Sequence, residues 1–252
     1  MPPATIFMVS QLNASQVDGR GRSAQIELQL ESAIRVGLLT VGDRLPAEPV
    51  LAEQLGVSPL TLRQSLASLR TRGLIETRRG RGGGSYVNGQ IPVTDSKIDA
   101  DLIGFSSDQL RDLGDHAGAI AAATARLAAE RTDEHDIRRL HEFAQQFARA
   151  ETPPDLRRTD SRLHIAFGVA AQSPRLTAAM ARVYAELAPV SWGGPWVDRQ
   201  AVADAEHRAA IDAISVRDVA TAESLARAHF SREADQLVER RLILITAEQD
   251  SP

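Results

Sequence analysis

The fold of the first part of the chain is decided by residues 45–69, LPAEPVLAEQLGVSPLTLRQSLASL. Leucines recur at helical spacing on both sides of the short segment Gly56-Val57-Ser58. Ser58 can cap the helix that follows, and Pro59 suits the first helical position, where its missing N–H is no loss. The stretch therefore predicts two short helices joined by a tight turn.

A further helix precedes this stretch and a hairpin follows it. Ile26, Leu30 and Ile34 recur at helical spacing after Ser23, the expected N-cap. Residues 74–78 alternate as a strand does, and residues 85–87 form its partner after a glycine-rich tip. Three helices followed by a hairpin predict a winged helix-turn-helix.

Polar and basic side chains occur where such a domain meets DNA. Hydroxyls and free N–H groups at the start of the third helix can bind phosphate, and an arginine there can read a guanine edge. Arginines beside the wing glycines can reach phosphate or the minor groove. The residues predicted to contact double-stranded DNA on these grounds are Ser58, Thr61, Arg63, Gln64, Arg78, Arg79 and Arg81.

Composition excludes several classes of protein. The 252 residues contain no cysteine, which removes disulfides, thiol catalysis and cysteine-bound metals. No apolar run approaches a membrane span, and the first 19 residues lack the basic start of a secretory signal, so we expect a cytoplasmic protein. Residues 20–90 hold ten arginines and six acidic residues, whereas the remainder is acidic. This asymmetry fits a polyanion partner for the first segment, although chance variation explains it equally well.

The remainder of the chain predicts only helices. We expect a flexible arm over residues 1–22, a DNA-binding domain over 23–88, a linker over 89–107 that can include one helical turn, and an all-helical bundle over 108–246. The fold class is mostly α. The predicted helices of the bundle are 108–131, 133–150, 154–171, 174–188, 198–215 and 218–246.

His164 of the second part has a carboxylate partner at helical spacing. Asp160 and His164 are four residues apart, so both lie on one face of a helix and suit a shared divalent metal. His207 and His229 lie on later helices and could complete a set of three imidazoles and one carboxylate. On spacing alone, scattered histidines are more often surface or core residues. His116, His135 and His141 are expected to be solvated.

The ordered motifs of residues 23–88 resemble the GntR family of transcriptional regulators. They are Gly37-x-Leu39-x-x-Gly42-Asp43-x-Leu45-Pro46-x-Glu48, Leu51-Ala52-x-x-Leu55-Gly56-Val57-Ser58, Leu62-Arg63-x-x-Leu66-x-x-Leu69 and Gly73-Leu74-Ile75. The resemblance implies that Ser58, Thr61, Arg63, Arg79 and Gly80 occupy DNA-contacting positions. The family usually has arginine at the positions of Pro49 and Pro59, so we expect a changed operator sequence and weaker phosphate anchoring.

Residues 108–240 resemble the FCD effector domain of the FadR subgroup, through Asp160-x-x-x-His164, Glu206-His207 and a histidine one long helix later. The resemblance implies that Asp160, His164, His207 and His229 bind a divalent metal, for which zinc is favoured over nickel and manganese. It also implies a homodimer that binds a palindromic operator, and a small-molecule effector, an organic or fatty acid with a carboxylate.

Two features bear on the effector. The arginine and glutamate that often lie on the family's first effector helix align with Ala117 and Ala121, which predicts a more apolar pocket and a bulkier or less charged effector. Trp192 and Trp196 lie on a glycine-rich loop that could form a lid over the pocket, although simple packing of the indoles on the bundle is the more common outcome.

The sequence as a whole predicts a ligand-responsive transcriptional regulator, with repression as the expected mode. Two other functions stay open at this point. A constitutive DNA-binding protein would use the bundle only to dimerise. A metalloenzyme would use Asp160 and the histidines to activate water, although no general-base motif accompanies them and the winged helix would be unexplained.

Overall fold

The computed structural model describes residues 21–35, 37–88 and 95–249. The chain divides into two compact units at residues 92 and 93. The described part is mainly helical, and its strands form a single two-stranded sheet. The arm predicted over residues 1–22 lies outside the described residues except for its last two, and Arg22 is already helical.

The first unit is a three-helix cluster with a hairpin. Its elements in chain order are α1 (Arg22–Arg35), α2 (Glu48–Gln54), α3 (Pro59–Thr71), β1 (Ile75–Arg78) and β2 (Gly84–Val87). The strands are antiparallel, with Ile75 opposite Val87 and Arg78 opposite Gly84. Ile75 and Val87 are both buried, as are Leu62 and Leu69 of α3, so the hairpin packs on the helices. The predicted winged helix-turn-helix is present.

The start of α1 differs from its prediction. The helix begins at Arg22, so Ser23 lies inside its first turn. The Ser23 hydroxyl hydrogen bonds to Glu27 at 3.3 Å and to the hydroxyl of Ser65 on α3 at 3.1 Å. Ser23 therefore joins two helices through the buried hydroxyl of Ser65.

The second unit consists of helices throughout its described part. They are α4 (Asp95–Ile103), α5 (Ser107–Arg131), α6 (Glu134–Ala148), α7 (Pro153–Ala170), α8 (Pro174–Leu187), α9 (Val197–Ser215) and α10 (Val219–Gln249). The most extensive helix–helix contact joins α5 and α10. A side chain at Gly114 would meet Ala234 of α10, because a Cβ there would lie 2.3 Å from the Cβ of Ala234. The absence of a side chain at this point therefore lets the two helices approach closely.

The linker predicted over residues 89–107 contains more structure than one helical turn. Residues 95–103 form the nine-residue helix α4, while residues 89–94 lie outside the described part. Ile98 and Leu102 of α4 are fully buried, and Asp99 pairs with Arg240 of α10. Burial of Ile98 and Leu102 therefore stabilises α4, although the turn-forming residues on either side of it favour a linker. None of the described helices is long and apolar enough to cross a membrane.

Candidate DNA-binding surface and metal site

The start of α3 presents two hydroxyl groups. Ser58 is the N-cap, and its Oγ accepts a hydrogen bond from the backbone N–H of Thr61 at 3.1 Å and lies 2.8 Å from the Thr61 hydroxyl. Pro59 occupies the first helical position and costs no hydrogen bond. The neighbouring Leu60 is 67% exposed, so this end of the helix is open to a partner.

Arg63 and Gln64 lie one turn further along α3, and both are exposed. Arg63 Nε donates to Glu48 Oε2 of α2 at 2.8 Å, and its side chain remains 66% exposed. An exposed pair of this kind stabilises a protein by only about 0–1 kcal/mol. A nucleic acid can therefore draw Arg63 away from Glu48 at little cost.

The wing residues differ in how they are held. Arg78 donates to Glu76 at 2.7 Å and lies over the ring of Tyr86, 4.2 Å from its centroid. Arg79 and Arg81 are exposed and have no ion pair or hydrogen bond with the described residues. Gly80 lies between them with a φ of 91°, a conformation that favours glycine. The wing therefore offers two unengaged cations at its tip.

Two residues that the sequence analysis did not single out support the wing tip. Arg44 Nη2 donates to the carbonyl of Gly83 at 2.6 Å, and the Tyr86 hydroxyl donates to the carbonyl of Gly82 at 2.6 Å. Both contacts end on backbone oxygens of the glycine-rich turn. A sequence pattern cannot indicate these two hydrogen bonds, since their acceptors are the backbone carbonyls of Gly82 and Gly83.

In the second unit, three helices bring the four predicted metal ligands together. Asp160 and His164 lie on α7, His207 on α9 and His229 on α10. One ligand atom from each of the three histidines lies within 4.8 Å of the others. Nε2 of His164 and Nε2 of His207 are 3.0 Å apart, and each lies 3.5 Å from Oδ1 of Asp160. The donor atoms therefore converge on one point.

The cluster is almost closed to solvent. Asp160, His164, His207 and His229 are between 1% and 7% exposed. Oδ2 of Asp160 accepts hydrogen bonds from Trp192 Nε1 at 3.2 Å and from the Tyr184 hydroxyl at 3.4 Å, whereas Oδ1 has no hydrogen-bond partner among the described residues. A buried carboxylate oxygen without a partner is costly unless a cation faces it.

Burial sets the protonation of the cluster. Desolvation lowers the pKa of His164 in spite of the opposing effect of Asp160. Desolvation, reinforced by the neighbouring His229 and His164, lowers the pKa of His207 well below 6.5. Burial and the charge of Asp160 raise the pKa of the Tyr184 hydroxyl well above 10, so Tyr184 stays a hydrogen-bond donor. His164 and His207 are therefore neutral near pH 7, which is the form that binds metal.

A carboxylate outside the cluster holds one of the histidines. Glu206 Oε2 lies 2.7 Å from Nδ1 of His229, and Glu206 also pairs with Arg232. Metal-binding histidines commonly donate their second N–H to a carboxylate, which fixes the ring and leaves Nε2 for the metal. Sequence reasoning assigned no role to Glu206. Nδ1 of His207 has no such partner within the described residues.

The donor set fits a divalent transition metal. Three imidazole nitrogens and one carboxylate oxygen are ligands that zinc, nickel and manganese accept, and the unpaired Oδ1 of Asp160 faces two of the nitrogens. The bound metal would act as a Lewis acid toward an oxygen of a small molecule. Asp160, His164, His207 and His229 would hold it, with Glu206, Trp192 and Tyr184 fixing the ligands.

The pKa values of the histidines predict how the stability of the metal-free second unit depends on pH. Because His164 and His207 have lowered pKa values in the folded state, the unfolded state binds more protons just below pH 6.5, and stability falls as the pH falls. Each histidine contributes a slope of at most about 1.4 kcal/mol per pH unit in that window. Urea unfolding of chelated protein between pH 7.5 and 5.5 measures it. His164→Asn should reduce the slope, and an equal slope in this variant and in the native protein contradicts the prediction.

A small cavity, partly open to solvent, adjoins the cluster. His164, His207 and His229 form part of its wall. Ala121 also lines it, whereas Ala117 is fully buried and is not among the lining residues. His116 and His135 are exposed and His141 is half-buried, so these three histidines lie apart from the cluster.

The two tryptophans lie elsewhere. Trp192 is 4% exposed and packs edge-on against Phe147, with ring centroids 5.3 Å apart. Trp196 packs against the same group of buried residues. Neither lines the described cavity, so the indoles pack on the bundle and the lid hypothesis has no support in this arrangement. The role of Trp192 near the site is its hydrogen bond to Asp160.

Comparison with known proteins gives the family. Residues 22–84 match the bacterial regulatory proteins of the gntR family, and residues 112–232 match the FCD domain. An HTH-type transcriptional regulator by name, RmpR of Mycobacterium gastri, is 41% identical over 228 residues, which cover 88% of this chain and 82% of that protein. The chain therefore belongs to the GntR family of transcriptional regulators and carries an FCD domain.

Two further similarities are more limited. The Glc operon transcriptional activator of Escherichia coli K12 is 40% identical over 100 residues, which cover 40% of this chain and 39% of that protein. The structure of E. coli McbR/YncC aligns with a TM-score of 0.51 at 15% identity and covers 88% of this chain and 99% of that one, which shows the fold alone. GntR-family regulators are DNA-binding proteins without enzymatic activity, so the metalloenzyme hypothesis is excluded.

Proposed function

We propose that the protein is a metal-dependent, effector-responsive repressor that binds a palindromic operator as a homodimer. The observation that carries the proposal is the buried convergence of Asp160 with His164, His207 and His229 beside a cavity of the FCD domain. Residues 23–88 are the DNA-binding domain in this proposal, and residues 108–246 bind the effector and dimerise. The cytoplasm is the compartment in which such a protein reaches its operator.

On the DNA side, the proposal rests on the exposed polar groups of α3 and the wing. Ser58 and Thr61 bind phosphate at the start of α3, since their hydroxyls lie 2.8 Å apart at the helix N-terminus, where the helix dipole favours an anion. Arg63 and Gln64 face base edges in the major groove, and the wing cations contact the flanking backbone or minor groove. The full set is Ser58, Thr61, Arg63, Gln64, Arg78, Arg79, Gly80 and Arg81.

At the metal, zinc is the favoured occupant, with nickel and manganese as alternatives. The effector is a carboxylate that reaches the metal from the cavity. The ligands come from α7, α9 and α10, so an effector that changes their spacing changes the packing of the bundle. Such a change alters DNA binding only if the effector binds the two arrangements with different affinity.

A reporter gene under an operator selected from random DNA by the purified protein tests the mode of action. We expect expression to rise when the gene for the protein is deleted and to fall when it is restored. A fall in expression on deletion would identify an activator and overturn repression.

Size-exclusion chromatography with light scattering tests the dimer. A monomer bound to a single half-site would overturn the proposed homodimer.

The constitutive DNA-binding protein is the remaining rival. It predicts that the protein contains no metal and that Asp160→Ala binds the operator normally under all conditions. The metal content of the purified protein and of Asp160→Ala separates the two functions. About one metal per protomer in the native chain, and near none in the variant, supports the sensor.

A further inference from the structure

Thr124 of α5 has an unusual position in the cavity wall. It is fully buried, lines the cavity, and its hydroxyl has no hydrogen-bond partner within the described residues. Other buried threonines of this unit find one: Thr132 donates to the carbonyl of Ala128 at 2.9 Å and Thr177 to that of Ser173 at 3.0 Å. Nearly all buried hydroxyls are paired in folded proteins, so the Thr124 hydroxyl, which is closed to solvent, would gain a hydrogen bond from a group that enters the cavity and shifts its wall.

The remaining wall, as far as the structure describes it, carries no cation. Apart from Thr124, the histidines and Glu206, its described residues are apolar, among them Ala121, Phe167 and Phe230. The Glu206 carboxylate is already engaged by Arg232 and His229. Among the lining residues that the structure describes, only the metal-ligand cluster therefore suits an anionic group.

These two features restrict the effector. One carboxylate can lie at the metal, but a second carboxylate would face apolar side chains without a counter-charge, and a buried unpaired charge is strongly unfavourable. An apolar body fits the wall, and a hydroxyl or carbonyl on that body would complete the hydrogen bonding of Thr124. Building on the proposed sensor function, we propose that Thr124 determines specificity and that the effector is a monocarboxylate with an apolar body and one hydrogen-bonding group.

Six-carbon acids test this inference, because they differ in one feature at a time. Hexanoate, the set of positional hydroxyhexanoates and adipate are titrated by calorimetry into the full-length protein, both zinc-loaded and as purified. We expect hexanoate to bind, one hydroxyhexanoate to bind about tenfold more tightly, and adipate to bind at least tenfold more weakly than hexanoate.

Thr124→Val keeps the volume of the side chain and removes its hydroxyl. We expect this variant to lose the tenfold preference for the hydroxylated acid and to bind hexanoate with an affinity within about twofold of that of the native protein. Its melting temperature should be no lower than that of the native protein. Thr132→Val is the matched control: it removes a paired hydroxyl outside the cavity, so it should lower the melting temperature and retain the preference.

The inference is overturned if adipate binds as tightly as hexanoate, if the preference survives Thr124→Val, or if zinc-loaded protein binds none of the acids. Its failure differs from failure of the proposed function. A protein that holds zinc and responds to another compound contradicts the effector class alone. A protein that holds no metal, and binds none of the acids as purified, contradicts both.

Discussion

Removal of the metal by a chelator should lower the melting temperature of the second unit by about 10 °C. A ligand present at a thousand times its Kd stabilises the folded state by about 4 kcal/mol, and each 1 kcal/mol moves the melting temperature of a domain of this size by about 2–4 °C. The loss also leaves Oδ1 of Asp160 buried without a cation. Both tryptophans of the chain, Trp192 and Trp196, lie in this unit, so their fluorescence reports its unfolding separately from that of the first unit.

Variants of the ligands distinguish the metal from a general effect of the chelator. His207→Ala and Asp160→Asn should contain little or no metal, and chelation should leave their melting temperatures unchanged. Asp160→Asn keeps the side-chain volume, which guards against a simple packing defect. His116→Ala is the control, because His116 is exposed on α5. Full metal content in both ligand variants would exclude the cluster as the metal site.

Arg63→Ala should weaken operator binding by about 10- to 100-fold, which corresponds to the roughly 1–3 kcal/mol of a bidentate contact with a base. Release of Arg63 from Glu48 costs little, since both side chains are partly exposed. Binding to random DNA should change much less. Fluorescence anisotropy on both DNAs measures the two losses, and an equal loss would reassign Arg63 to the phosphate backbone.

Two other arginines calibrate this measurement. Arg79→Ala should weaken both DNAs to a similar degree and reduce the salt dependence of binding by about one phosphate contact, because Arg79 is exposed at the wing tip and unengaged in the described structure. Arg111→Ala, in an exposed pair with Asp108 of the second unit, should change neither. Loss of DNA binding in Arg111→Ala would indicate a nonspecific charge effect.

Local signals were sufficient for most helix boundaries. Ser58 before Pro59 and Ser173 before Pro174 are the N-caps of α3 and α8, because a capping hydroxyl followed by proline leaves the chain few alternatives. The helix α4 was expected only as a single turn. Its stability comes from the burial of Ile98 and Leu102, which is a property of the packed domain and leaves a weak pattern in nine residues.

The metal site shows the same division between local and tertiary information. The pair Asp160 and His164 could be predicted from helical spacing alone, but the approach of His207 and His229 depends on the packing of α7, α9 and α10. Only the resemblance to the FCD domain supplied that information. Glu206 was assigned no role, because its partner is His229 on another helix and their approach depends on the packing of the bundle. Thr124 was overlooked because nothing in a sequence marks a hydroxyl as unpaired.

The measurement that tests the central claim most directly is the operator affinity of the full-length protein in four states: zinc-loaded or chelated, with or without the six-carbon acids. We expect at least one acid to change the affinity of the zinc-loaded protein by about tenfold or more, within the usual 1–3 kcal/mol of allosteric coupling, and to have no effect on chelated protein or on Asp160→Ala. The same operator affinity in all four states, with an acid bound at saturation, would contradict the account.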